Sequence, residues 1–232
     1  MISITIRFGL SIFILALLSL SAVHAEHRVP ETISVVLQFK PDVVNGKRVY
    51  EVCESCHLPD GWGNEDGVYP QLAGQHARVL MKQLLDIREG RRDNPSMFPF
   101  VQERTIGGYQ NLADVVAYIS TLPMTPFHGK GEWGKASDKY QQGERLFKEK
   151  CLTCHGDEAQ GNSEEEIPRL QGQHYAYLIQ QARLIATHQR KADPGMVAII
   201  NSLNLDEIDV VMNYISRIRV PQSDLDDTEV SQ

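Results

Sequence analysis

The chain has 232 residues, 42% apolar and 23% charged, with 23 Lys and Arg against 30 Asp and Glu for a formal charge of −7. That balance supports one or two small cores and excludes a disordered chain and a membrane bundle, while the acidic excess disfavours a general nucleic-acid role. Its four cysteines fall in two short identical patterns instead of forming a disulfide framework.

Residues 1–25 read as a secretory signal: Arg7 supplies the positive start, Phe8 to Val23 the apolar stretch and Val23-His24-Ala25 a small-residue cleavage site. The mature chain is expected to begin near Glu26 with a charge of −8 once Arg7 is gone. The alternative is an uncleaved anchor, for which the apolar stretch falls short of the roughly 20 residues that span a bilayer. Residues 26–122 are the expected first domain. A helix is predicted from Asp42, its N-cap, to Val52 by apolar residues at three and four spacing. Cys53-Glu54-Ser55-Cys56-His57 follows, then Pro70-Gln71-Leu72-Ala73-Gly74-Gln75-His76. A helix with the face Val79, Leu80, Leu84, Ile87 comes next, then Met97 in a loop begun by Pro95, and a closing helix with Leu112, Val115, Val116 and Ile119. The prolines and glycines of Pro123 to Gly131 stop that helix and mark residues 123–139 as a linker.

The same series then returns. Cys151-Leu152-Thr153-Cys154-His155 lies 98 residues after its first copy, as do Pro168-Arg169-Leu170-Gln171-Gly172-Gln173-His174 and Gln181, the partner of Gln83. Met196 lies 41 residues after His155, where Met97 lies 40 after His57, and follows Pro194. Register held over this length with different residues in between indicates duplication of a complete unit. The second domain, residues 140–219, is preceded by an N-cap at Asp138 and ends in the helix of Leu205, Ile208, Val211, Met212 and Ile215. Residues 220–232 read as a flexible acidic tail, and Glu164-Glu165-Glu166 as a solvated loop.

C-x-x-C-H on a helix puts both sulfurs on one face, where they add to the two vinyl groups of a porphyrin, and sets the histidine beneath the iron. Cys53, Cys56, Cys151 and Cys154 are therefore expected to bind haem, with His57 and His155 as iron ligands. A zinc ribbon would place its cysteine pairs about 15–20 residues apart, not 98, and a thiol-redox pair would sit in a strand–turn–helix context. Met97 and Met196, at matched positions, are expected to supply the sixth ligands, and a soft neutral thioether favours ferrous iron. His76 and His174 are duplicated too, so bis-histidine ligation stays open as the weaker alternative.

With these residues quoted, the chain resembles the dihaem cytochrome c4 family over about Pro41 to Arg219. That family pairs C-x-x-C-H, P-x-L-x-G-Q, a loop methionine and a terminal helix with an aromatic–aliphatic end, here Tyr118-Ile119 and Tyr214-Ile215. The resemblance implies an all-α fold of two tandem cytochrome c-like helical domains, each wrapped around one covalently bound haem c. It also implies that the carbonyls of Pro70 and Pro168 accept from the far ring nitrogens of His57 and His155. Gly46 and Gly143 would let the first helix cross closely over Tyr118 and Tyr214, and the two haems would face one another near the domain interface. The first methionine loop departs from the pattern in the bulk of Phe98-Pro99-Phe100.

The expected function is a periplasmic electron carrier, its membrane contacts limited to peripheral association with the outer face of the inner membrane. It would link a quinol-oxidising complex or a dehydrogenase to a terminal oxidase, with no catalytic residues, no small-molecule substrate and no nucleic acid. The alternative is the electron-accepting cytochrome subunit of a dehydrogenase such as a flavocytochrome sulfide dehydrogenase. A dihaem peroxidase is weaker, because each iron is offered a methionine.

Overall fold

The computed structural model describes residues 31–226, so the secretory segment 1–25 and the last residues of the tail lie outside the described residues. Those residues form ten α-helices and a short 3₁₀ turn, with single bridge pairings but no β-strand among them.

In the first half, α1 (Glu31–Val36) lies on α3 (Ala77–Arg88) and α5 (Tyr109–Ile119), with α2 (Val43–His57) and the one-turn α4 (Glu103–Ile106) completing the unit. The carboxylate of Asp42 accepts from the backbone N–H groups of Val44 and Asn45, so α2 starts on the expected cap. The helix then runs past Val52 and carries the whole C-x-x-C-H pattern. The second half contains α6 (Asp138–Lys150), α7 (Leu152–His155), α8 (Tyr175–Ala186), α9 (Pro194–Asn201) and α10 (Leu205–Ile215). Here the cap is Ser137, whose hydroxyl accepts from the Lys139 N–H, and Asp138 is the first helical residue.

The halves are built alike because the same close crossing recurs. A Cβ on Gly46 would sit 2.0 Å from the carbonyl oxygen of Asp114 and 2.9 Å from Tyr118 Cβ, and one on Gly143 would sit 2.1 Å from Val210 O and 2.9 Å from Tyr214 Cβ. Only glycine lets α2 meet α5, and α6 meet α10, backbone to backbone. Tyr50 then stacks on Tyr118 at 5.3 Å between centroids, and Phe147 on Tyr214 at 5.4 Å. Two separate cores result, one around Tyr50, Leu85 and Leu112, the other around Phe147, Ile208 and Ile215. Fully burying each such side chain is worth about 1.5–3 kcal/mol.

The segment after Leu122 is a packed strap, with Met124 and Thr125 buried. Two loop expectations need correction. The tail is fixed as far as residue 226: Val220 is buried, Met124 exchanges backbone hydrogen bonds with Asp224 and Asp226, and Arg169 pairs with Asp224 at 2.8 Å. An apolar residue and a salt bridge hold what an acidic composition had marked as loose. Within the acidic run, Glu166 takes φ +57° and turns inward, where it is buried.

Candidate functional site

His57 ends α2 and His155 ends α7, and both rings are buried, 3% and 6% exposed. His57 Nδ1 lies 3.0 Å from the carbonyl oxygen of Pro70, and His155 Nδ1 lies 3.1 Å from that of Pro168. A carbonyl only accepts, so each Nδ1 carries the proton and each Nε2 keeps its lone pair. Burial lowers the pKa of both rings, with the hydrogen bond to proline opposing it. Each site thus offers a neutral imidazole of fixed tautomer and orientation, the state in which histidine binds a metal. The loops that bring the prolines round are tied back to the histidines themselves: Gly63 N–H donates to His57 O at 3.0 Å and Gly161 N–H to His155 O at 2.8 Å.

The cysteines lie on the turns just before these histidines, and no disulfide joins them. Burial, then the neighbouring Cys56 or Cys154, pushes the Cys53 and Cys151 thiols up to about 11 each. That is opposite to the depressed pKa of an exchange-active thiol pair. Among the described residues no three His, Cys, Asp or Glu side chains gather in a metal-holding group, so neither cysteine pair has the further ligands a zinc ribbon requires.

The two methionines stand in different local structures. Met97 is half-buried in the turn that follows Pro95, with its N–H donating to Asn94 O (3.1 Å) and Asn94 Oδ1 (3.2 Å). Arg88 fastens that loop by donating to the carbonyls of Val101 and Gly107. Met196 sits in the first turn of α9 and packs against the second core. Pro194 therefore opens a helix where it was expected to break one: its fixed φ suits the first helical position, and Asp193 caps the turn by accepting from the Gly195 N–H.

His76 and His174 are engaged elsewhere. His76 Nε2 donates to Gln160 O at 2.8 Å and His174 Nε2 to Trp62 O at 2.7 Å, each in the opposite half, while Gly129 N–H donates to His174 Nδ1. His174 is 2% exposed and so lies inside the molecule, not on its surface. Both histidines belong to a pseudo-twofold seam that the sequence reading missed. Gln71 N–H donates to Gln173 Oε1 and Gln173 Nε2 returns a bond to Gln71 O, at 3.0 and 2.9 Å. Arg169 and Gln75 repeat the exchange at 3.0 and 2.9 Å. The signal was present in the second repeated segment, whose Gln71, Gln75 and Gln173 all reach into the opposite half.

The sequence profile of the cytochrome c family matches this chain twice, over residues 43–123 and 140–219. The chain is 33% identical to cytochrome c4 of Thiocapsa roseopersicina over 175 residues, covering 71% of this chain and 85% of that protein. It is 27% identical to the thiosulfate dehydrogenase electron acceptor of Stutzerimonas stutzeri strain A1501, covering 80% and 91%. The crystal structure of reduced recombinant cytochrome c4 from Pseudomonas stutzeri superposes with a TM-score of 0.66 at 28% identity, covering 78% of this chain and all of that one.

Proposed function

This chain belongs to the cytochrome c family, within it to the dihaem cytochrome c4 group, and from that premise we propose how its residues serve electron transfer and between which partners. It carries two covalently bound haem c groups and works as a dihaem electron-transfer cytochrome. Each bound haem supplies a one-electron ferric–ferrous couple. Cys53 and Cys56 would hold the first haem and Cys151 and Cys154 the second. His57 and His155 would offer Nε2 to the iron, and Met97 and Met196 would offer the thioether ligands. Pro70 and Pro168 keep each imidazole turned and neutral. The observation that carries this assignment is the repeated Nδ1-to-proline bond, at 3.0 and 3.1 Å, on the histidine of each C-x-x-C-H.

With a histidine and a methionine offered to each haem, the protein would exchange electrons with other redox proteins and leave substrate chemistry to them. We place it in the periplasm, between a quinol-oxidising complex or a dehydrogenase and a terminal oxidase. The secretory reading of residues 1–25 supports that compartment, and among the described residues no helix is long and apolar enough to cross a membrane. Residues 26–122 and 140–219 then act as the two domains, with 123–139 as the strap between them. A second reading, a dedicated acceptor serving one dehydrogenase, draws support from the likeness to a thiosulfate dehydrogenase electron acceptor.

Purification of the native holoprotein separates the two. A free carrier elutes alone and is reduced at a rate that rises linearly with donor concentration. A stoichiometric complex with a dehydrogenase that survives purification contradicts it.

A further inference from the structure

A cavity of about 340 Å³ opens between the strap that joins the halves and the segment that follows α10, on residues that neither the haem sites nor the glutamine seam uses. Lys130 and Lys135 line it from the strap, Arg217 and Arg219 from the end of the second half, and no lining residue carries a carboxylate. Among the described residues none of these four cations forms an ion pair. Asp224, beside the lining residue Leu225, has its carboxylate on Arg169 at 2.8 Å. In a chain of net charge −7 the cavity is therefore a local reversal of sign, which draws anions.

Its wall also holds buried polar atoms that nothing in the chain satisfies. Arg217 donates to the carbonyl of Gly131, yet its Nε is buried without a hydrogen-bond partner. His128, a lining residue, is 7% exposed; its Nε2 lies 2.8 Å from Ser216 O, and its Nδ1 is buried with no partner. Two such orphans in the wall of one basic cavity call for a bound group that meets them.

The orphan atoms say which anion. Ser216 O only accepts, so His128 Nε2 carries the proton and Nδ1 is left as an acceptor. Burial lowers the pKa of this ring to about 4 against the bond to Ser216, with Lys130 and His174 adding to the fall, so the imidazole is neutral at neutral pH. The ligand must then give a hydrogen to Nδ1 while offering charged oxygens to the guanidiniums and ammoniums. A carboxylate or a sulfate has no such hydrogen. A phosphate monoester loses its own above a second pKa near 6, whereas inorganic phosphate keeps a P–OH throughout the neutral range. We propose that the cavity is a binding site for inorganic phosphate, with His128 as the acceptor that selects it and Lys130, Lys135, Arg217 and Arg219 as the cations that hold it. A bound phosphate ties the strap to the segment after α10.

The test is a calorimetric titration of the phosphate-free holoprotein at neutral pH and constant ionic strength, with inorganic phosphate, sulfate and glycerol 1-phosphate as probes. Inorganic phosphate is expected to saturate a single site with a Kd at or below about 1 mM, and the other two anions to bind at least about tenfold more weakly. R219Q and K130Q each weaken phosphate about tenfold by removing one charge-assisted bond, while K148Q, an exposed lysine outside the cavity, leaves it unchanged. Sulfate or glycerol 1-phosphate binding within about twofold of inorganic phosphate overturns the assignment, because charge alone then holds the anion. Phosphate binding that survives in both R219Q and K130Q at the parent's affinity places the anion elsewhere and overturns it as well. No saturable binding by any of the three means that the cavity holds water only, and refutes the site. Should the variants fail to accumulate, the three-anion series on the parent protein decides.

Discussion

Replacing Gly46 by alanine tests the helix crossing on which each half depends. The new Cβ would lie 2.0 Å from Asp114 O, which is 1.4 Å inside the 3.4 Å where ordinary contact begins. The obstacle is a backbone carbonyl in mid-helix, so no side chain can swing aside and α2 must lift off α5. A radial gap of only about 0.5–1 Å already forfeits a quarter to a half of each contact well. Over the buried Tyr50, Leu112, Val115 and Val116, that amounts to about 3 kcal/mol, in the range of overpacked cores. Alanine regains about 1 kcal/mol of helix propensity, so the net loss is about 2 kcal/mol. For a half of this size that is about 10 °C in Tm. Calorimetry of the holoproteins should show G143A with a similar loss in the other half, where the approach is 2.1 Å. G134A is the control, since nothing lies within 4 Å of its Cβ position. A G46A protein as stable as G134A, within about 0.5 kcal/mol, would refute the crossing.

Removing the Gln173 side chain leaves the Gln71 N–H and carbonyl without their 3.0 and 2.9 Å partners. Q173A should cost about 2–4 kcal/mol and speed hydrogen exchange at Gln71 while α10 keeps its protection; unchanged exchange at Gln71 would contradict the seam. His128, whose Nε2 donates to Ser216 O at 2.8 Å, has its pKa lowered from 6.5 to about 4 by burial. Its unfolded imidazole therefore takes a proton that the folded one resists. Stability is full above about pH 6.5 and falls as pH drops toward 4, by up to about 3 kcal/mol. Urea titrations at pH 7 and pH 4.5 should show a smaller difference for H128Q than for the parent, and an equal difference counts against the assignment.

The helical class and the internal repeat were legible because apolar spacing and the 98-residue offset are local facts of the sequence. The histidine–proline bonds agreed with what the resemblance implied, since they join segments 13 residues apart in both copies. Local pattern failed where tertiary contacts decide. Pro194 reads equally as a breaker or as a helix opener, and only the Asp193 cap makes it the latter. Periodicity ended α2 at Val52 because the cysteines and polar residues of the C-x-x-C-H turn carry no apolar stripe, yet the helix continues to His57. The fixed tail depends on Arg169 finding Asp224, 55 residues away. The interface glutamines were visible as repeated letters, but their partners lie about 100 residues off and no period reports such a pairing.

The most direct test of the account is the optical spectrum of the oxidised holoprotein with a haem-to-protein ratio, compared among parent, M97A and M196A. Two haems per chain are expected, with a weak far-red charge-transfer band from two methionine–iron bonds that each single variant halves. A parent with one haem, or a band that survives in either variant at full strength, would contradict the paired histidine–methionine sites.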